Sequence, residues 1–177
     1  MQEYTKQKTN AEKTELVVKS LYPHEKWELL ENGIFIAKSR IPRSARQLNI
    51  LDVELYHARF LVNRGSIVYL LPESTYPSEK HKKYPDAVVD GVIMEFKKIT
   101  GGIRQVERRY KEAREKADYV FIIIEADITR HDVSRKLSGY IRRKGLTGGI
   151  IFAYFTKSDE FHKWSEDELA AYHNLAH

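Results

Sequence analysis

No cysteine occurs among the 177 residues. Disulfides, zinc–thiolate centres and thiol nucleophiles are therefore excluded, while the redox compartment stays open. No apolar run approaches the roughly 18 residues that a membrane-spanning helix needs. The opening stretch, Met1-Gln2-Glu3-Tyr4-Thr5-Lys6, lacks the apolar core of a signal peptide, so a cytoplasmic site of action is expected. Neither a Walker-type nor a dinucleotide-type glycine loop is present, and there is no nucleophile elbow. The seven histidines are scattered, and a histidine-based metal site is not expected.

Hydrophobic residues make up 42% of the chain and aromatics 11%, enough to close a core in one domain of this length. The chain is therefore not a disordered one. Thirty basic residues against 25 acidic ones give a net charge of +5, which fits a polyanionic partner without requiring one. No linker-like composition and no internal repeat divide the sequence.

Periodicity and turn signals give a coarse order of elements. Residues 1–9 are polar and expected to fray. A helix is expected over 10–21 with Leu16, Val17 and Leu21 on one side, then a hairpin over 27–38 around Glu31-Asn32-Gly33. Arg40, Arg43 and Arg46 fall in a proline-containing loop. A second helix is expected over 52–64, capped by Asn49 or Asp52 and stopped by Gly65. A short strand over 67–71 and a polar loop over 72–84 follow. Beyond a hairpin at 86–99, the apolar spacing of Ile103, Val106, Tyr110, Ala113 and Ala117 marks a helix. Continuous apolar runs at 119–125 and 149–155 read as buried strands, separated by a helix over 129–144. A last helix is expected within 165–176. The order implies an α/β fold, a mixed sheet flanked by helices.

The most informative stretch is Pro85-Asp86-Ala87-Val88-Val89-Asp90-Gly91-Val92-Ile93-Met94-Glu95-Phe96-Lys97. Asp-Gly between β-branched runs is a two-residue hairpin signal. With Asp90 and Gly91 in the turn, Val89 faces Val92 and Asp86 faces Glu95. Side chains alternate along a strand, so Lys97 shares the face of Glu95. Facing carboxylates repel unless something compensates them. A divalent cation does so, and an oxygen donor set of this kind suits Mg²⁺ or Mn²⁺. The plain alternative is a surface hairpin with an ordinary cross-strand ion pair.

This pattern, Pro-Asp, a spacer and Glu-x-Lys, resembles the signature of the PD-(D/E)xK nuclease superfamily. The run from Glu54 through Ala58, Leu61 and Gly65 to Val68-Tyr69-Leu70-Leu71-Pro72-Glu73, and on to Lys97, is similar to C-terminal nuclease domains of CdiA-type contact-dependent growth-inhibition toxins. Related domains occur in phage and mobile-element proteins. The resemblance covers residues 49–155. It implies a PD-(D/E)xK-like core over 49–177 (helix, three antiparallel strands, helix, strand) with residues 1–48 as an N-terminal helix-and-hairpin extension. It also implies a metal-dependent nuclease, a toxin-like RNase on tRNA favoured over a DNA endonuclease. A metal-independent RNase and a non-catalytic nucleic-acid-binding module are further alternatives. Delivery by a larger carrier protein, or encoding on a phage or mobile element, and a cognate immunity protein belong to the same implication.

Asp86, Glu95 and Lys97 are then the catalytic set, with Asp86 and Glu95 as metal ligands. The family often adds an acidic residue from the first core helix, and Glu54 is the candidate for both roles. It lies on the stripe of Ala58 and Leu61, where a glutamate is unusual without a cation or charge partner. The alternative is a first-turn glutamate favoured by the helix dipole. Lys97 is expected to act electrostatically, because neighbouring carboxylates favour a charged amine. One departure stands out. Many members of the resembled family carry Ala-x-x-Gln late in the helix after the Glu-x-Lys strand. Here the stretch is Ala113-Arg114-Glu115-Lys116, and Gln105 comes earlier.

Substrate contacts are expected from several places. Gly101 and Gly102 precede a helix whose backbone N–H groups suit a phosphate, or form a plain turn. Arg104 and Gln105 begin that helix. Its polar face offers the local pairs Glu107–Lys111, Arg108–Glu112 and Glu112–Lys116. Lys82 and Lys83 in the polar loop, and Arg142 and Arg143, have no local partner and suit phosphate contacts, or ordinary solubility.

Overall fold

The computed structural model describes residues 2–73 and 84–172, with side chains from residue 10 onward. Its eight strands pair in sequence order in a mixed sheet, flanked by five helices. The fold is α/β, as the element order implied. No helix among the described residues is long and apolar enough to cross a membrane. The chain divides into two compact units, one ending at Met94 and one beginning at Glu95.

The first unit opens with α1 (Gln2–Leu21), then β1 (Trp27–Glu31) and β2 (Ile34–Ala37), the expected hairpin. Of the residues expected on the inward side of α1, only Val17 packs against the core. Leu16 is 70% exposed and Leu21 44%, whereas Thr14 and Val18 are fully buried. Val18 packs with Tyr69, Leu71 and Val88, so the buried line follows the four-residue step from Thr14. A 3-10 turn (Lys38–Arg40) leads to α2 (Ala45–Val62). This helix starts earlier than its periodicity suggested. Ser44 is its cap, accepting from the Gln47 N–H. Asn49 and Asp52, the expected caps, are interior helix residues.

β3 (Val68–Leu70) pairs parallel to β2 and antiparallel to β4 (Ala87–Val89). β4 pairs antiparallel with β5 (Val92–Ile99) in the expected register, Val89 to Val92 and Ala87 to Met94. Asp90 and Gly91 both have positive φ, 49° and 82°, as a type I′ turn demands. Asp90 also ties the turn to the preceding strand, since its carboxylate accepts the Ile67 N–H at 2.9 Å.

The second unit holds α3 (Arg104–Arg114), β6 (Tyr119–Ile124), α4 (Arg130–Lys144), β7 (Ile150–Phe155), β8 (Glu160–Ser165) and α5 (Glu166–Ala171). The expected stripe of α3 is inward, with Val106, Tyr110 and Ala113 fully buried. These pack with Ile122, Leu137, Ile151 and Leu169 into one apolar core. β6 and β7 are parallel, and β7 pairs antiparallel with β8. β8 is the element the sequence did not announce. The last helix is correspondingly short and begins at a Ser165–Glu168 capping box.

Candidate active site

Within the first unit, the expected stripe of α2 exists: Glu54, Ala58 and Leu61 are all buried. Glu54 is not left uncompensated. Arg40, at the end of the 3-10 turn, donates to its carboxylate, and both side chains are nearly sealed from solvent. The same guanidinium donates to the Leu71 carbonyl at 2.7 Å and to the Asp86 carbonyl at 3.3 Å. Asp86 is half-buried, and its carbonyl also accepts the Leu71 N–H at 2.9 Å. One arginine thus fastens α2 to the end of β3 and to the backbone of Asp86. Burial pushes the Glu54 carboxyl up to about 8, against the pull of Arg40 and helped by the charges of Asp86 and Glu73.

Sequence reasoning missed Arg40. It stood with Arg43 and Arg46 in an apparently polar loop, and only the fold brings it to Glu54. Removing it strands a buried carboxyl, so Arg40→Met should lose about 3–5 kcal/mol of stability, toward the lower end because Glu54 takes up a proton easily. Urea melts of Arg40→Met, Glu54→Gln and the double variant check this. A double variant less stable than Arg40→Met would contradict the pairing.

Within the second unit, Glu95 is fully buried and lies between two ammonium groups. Lys97, two residues along the same strand, donates to its carboxylate, as strand alternation required. Lys116 donates to the same oxygen at 2.7 Å. Lys116 was expected to pair with Glu112 four residues before it. Instead Glu112 accepts from Arg108 at 3.0 Å and Arg109 at 3.2 Å, and Lys116 turns to Glu95. Lys116 also ends the Ala113-Arg114-Glu115-Lys116 stretch, where the resemblance led one to look for glutamine. The residue at that position therefore does reach a residue of the Glu-x-Lys motif.

The remaining candidates are dispersed. Gln105 folds back on its own turn, its side-chain oxygen accepting the Gly101 N–H at 3.2 Å. That N–H is therefore already engaged, whereas a Cβ at Gly102 would meet nothing within 4 Å. Arg104 is exposed at the start of α3. Arg142 and Arg143 lie in the last turn of α4, where cations complement the helix dipole. Arg143 donates to Glu107 at 2.9 Å, and Lys136 takes the other oxygen of Glu107 at 3.0 Å. Glu107 thus bridges to α4 rather than to Lys111. Lys82 and Lys83 lie outside the described residues.

Among the described residues, no group of three carboxylates or histidines comes together that would hold a metal by itself. The donor chemistry nevertheless suits a hard cation, because Mg²⁺ is ordinarily held by one or two carboxylates with water and substrate phosphate completing its shell. Both buried carboxylates are already paired, Glu54 with Arg40 and Glu95 with Lys97 and Lys116, so a bound ion has to compete with those cations. Comparison with protein-family models, with curated proteins and with solved structures returns no match for this chain.

Proposed function

We propose that this chain is a metal-dependent nuclease of the PD-(D/E)xK type, an RNase acting on tRNA in preference to a DNA endonuclease. The observation that carries the reading is the hairpin. Its turn and register, from Ala87 to Met94, are those the motif requires, and it is flanked by Asp86 on one side and by the buried Glu95 and Phe96 with the half-buried Lys97 on the other. A fully buried carboxylate held by two lysines is costly to build for stability alone. Concentrating such groups is characteristic of sites that handle charged intermediates.

In this reading Asp86 and Glu95 would hold Mg²⁺ or Mn²⁺, which would supply charge neutralisation at the phosphate and an activated water. Lys97 stabilises the negative charge that develops on the phosphorane oxygens. Lys116 keeps the Glu95 carboxylate oriented. Glu54 acts through Arg40, which fixes the backbone on which Asp86 stands, so it is a positioning residue. The net charge of +5 supports a polyanionic substrate through counterion release.

Purified protein should cleave tRNA with Mg²⁺ and fall to background in excess EDTA, with cleavage restored by Mn²⁺. Plasmid and tRNA incubated side by side distinguish the two substrates. Cleavage that persists in EDTA would replace this reading with a metal-independent RNase. Faster cleavage of plasmid than of tRNA would replace it with a DNA endonuclease.

A further inference from the structure

A concave site lies wholly inside the second unit, and no residue of the Glu-x-Lys motif lines it. The loop between β6 and α4 and the turn between β7 and β8 enclose a cavity of about 590 Å³. β6 and β7 are parallel, so both strands end at this edge of the sheet. Ligand crevices in α/β sheets form beyond the carboxyl ends of parallel strands, and this volume is within the usual range for small-molecule sites.

The lining carries two carboxylates, Asp127 and Glu160, and two permanent cations, Arg130 and Lys157, so its character depends on which of them are paired. Glu160 pairs with the His162 ring at 2.9 Å, and Asp127 lies 3.8 Å from Lys157. Both carboxylates of the lining are thereby engaged. Arg130 and His131 also line the cavity, and neither has an ion-pair partner among the described residues. His131 faces the Asp132 charge and the Tyr172 ring, so Arg130 is the cation left for a ligand, with the His131 imidazole beside it in sequence, a pair suited to an anion that takes charge-assisted hydrogen bonds. The opposite wall offers a ring. The His162 imidazole is stacked on Trp164 at 5.7 Å with 17° between planes, and Phe155 meets it edge-on at 5.9 Å. An imidazole braced on two aromatic rings presents a fixed planar group to the cavity.

We propose that this cavity binds a mononucleotide, its phosphate at Arg130 and His131 and its base beside His162. The site shares no residue with the proposed metal centre. It stands whether or not the chain cleaves nucleic acid.

The full chain is titrated with adenosine 5′-monophosphate, adenosine and inorganic phosphate, following the imidazole resonances of His131 and His162 by NMR. The nucleotide should saturate and shift both imidazoles, while adenosine and phosphate each bind at least about tenfold more weakly. Arg130→Ala should weaken the nucleotide about tenfold or more. Arg130 is exposed, so its melting curve should match the wild type. His162→Ala should weaken the nucleotide but leave phosphate binding as it was. Absence of saturable nucleotide binding, or equal affinity of Arg130→Ala and wild type, overturns the site. Equal affinity for phosphate and nucleotide overturns the base contact.

Discussion

Lys97→Met and Glu95→Gln should each lower the proposed Mg²⁺-dependent cleavage of tRNA by about 10²–10³-fold, the usual loss when one electrostatic stabiliser is removed from a phosphoryl or acyl transition state. The two differ in what they do to the fold. Asp86 and Glu95 repelling one another would make Glu95→Gln a relief. The surroundings of Glu95 reverse that expectation. Its carboxylate is fully buried and serves two lysines, whose side chains are themselves mostly buried at 14% and 22% exposure. Glu95→Gln leaves both cations without their anion and should be destabilising. Lys97→Met leaves Lys116 on Glu95 and keeps the aliphatic stem, so its cost in stability is smaller. Lys97→Met is therefore the cleaner test of chemistry. Lys116→Met supplies the comparison: it should reduce cleavage less than Lys97→Met, because it orients Glu95 rather than facing the phosphate. Cleavage rates on tRNA, with circular dichroism melts of each variant, check all three. A folded Lys97→Met protein that cleaves like the wild type would remove the central assignment.

What could be read in advance depended on how local the cause was. The hairpin at Asp90-Gly91 needs two residues with positive φ, and that requirement is written in two adjacent letters. The buried strands β6 and β7 show as continuous apolar runs, and the stripe of α3 as a helical spacing. β8 is different. Glu160–Ser165 is only half-buried and alternates Phe161 and Lys163 with His162 and Trp164, so no clean two-residue period separates apolar from polar. Its strand state comes from pairing with β7, a tertiary cause. The start of α2 was equally hidden, because residues 45–50 are exposed and carry no buried stripe.

The same distinction governs the site. Lys97 beside Glu95 follows from strand alternation alone. Arg40 reaches Glu54 across 14 residues and through a 3-10 turn, and nothing in the loop composition distinguishes it from Arg43 or Arg46. Lys116 was misassigned because a good local partner, Glu112, competes on paper with a distant one. Burial decides between them: the pair with Glu95 is shielded from water, while Glu112 is part-exposed.

Glu166→Gln and Gly149→Ala should be the most destabilising single changes in the second unit, each costing about 3–5 kcal/mol, or a fall in melting temperature of roughly 6–20 °C for a chain of this size. Glu166 is fully buried at the start of α5, yet every direction around its carboxylate is answered. The Tyr110 hydroxyl donates at 2.6 Å, Arg114 donates through Nε at 2.8 Å, and the Gly149 N–H donates at 2.7 Å. The Glu166 N–H returns a bond to the Gly149 carbonyl at 2.9 Å. α3, β7 and α5 are joined at this one group. A Cβ at Gly149 would sit 2.6 Å from the carboxylate and 2.8 Å from the Arg114 Nε, so neither can stay in place. Burial by itself would raise the carboxyl, but the hydrogen bonds from Arg114, Tyr110 and Gly149 outweigh it and hold Glu166 below the ordinary carboxylate range. A group depressed in the folded state binds its proton more readily when unfolded. Its stabilisation is therefore fully present above the unfolded value near 4.5 and is lost as pH falls through the folded one. Glu166→Gln has no such proton to take up, so the gap between variant and wild type should be widest at neutral pH and narrow steadily below about pH 4.5. Urea melts of both proteins from pH 7 to pH 3 measure that gap. A gap that stays constant across the range, or a Gly149→Ala protein as stable as the wild type, would show that this junction is not what holds α3, β7 and α5 together.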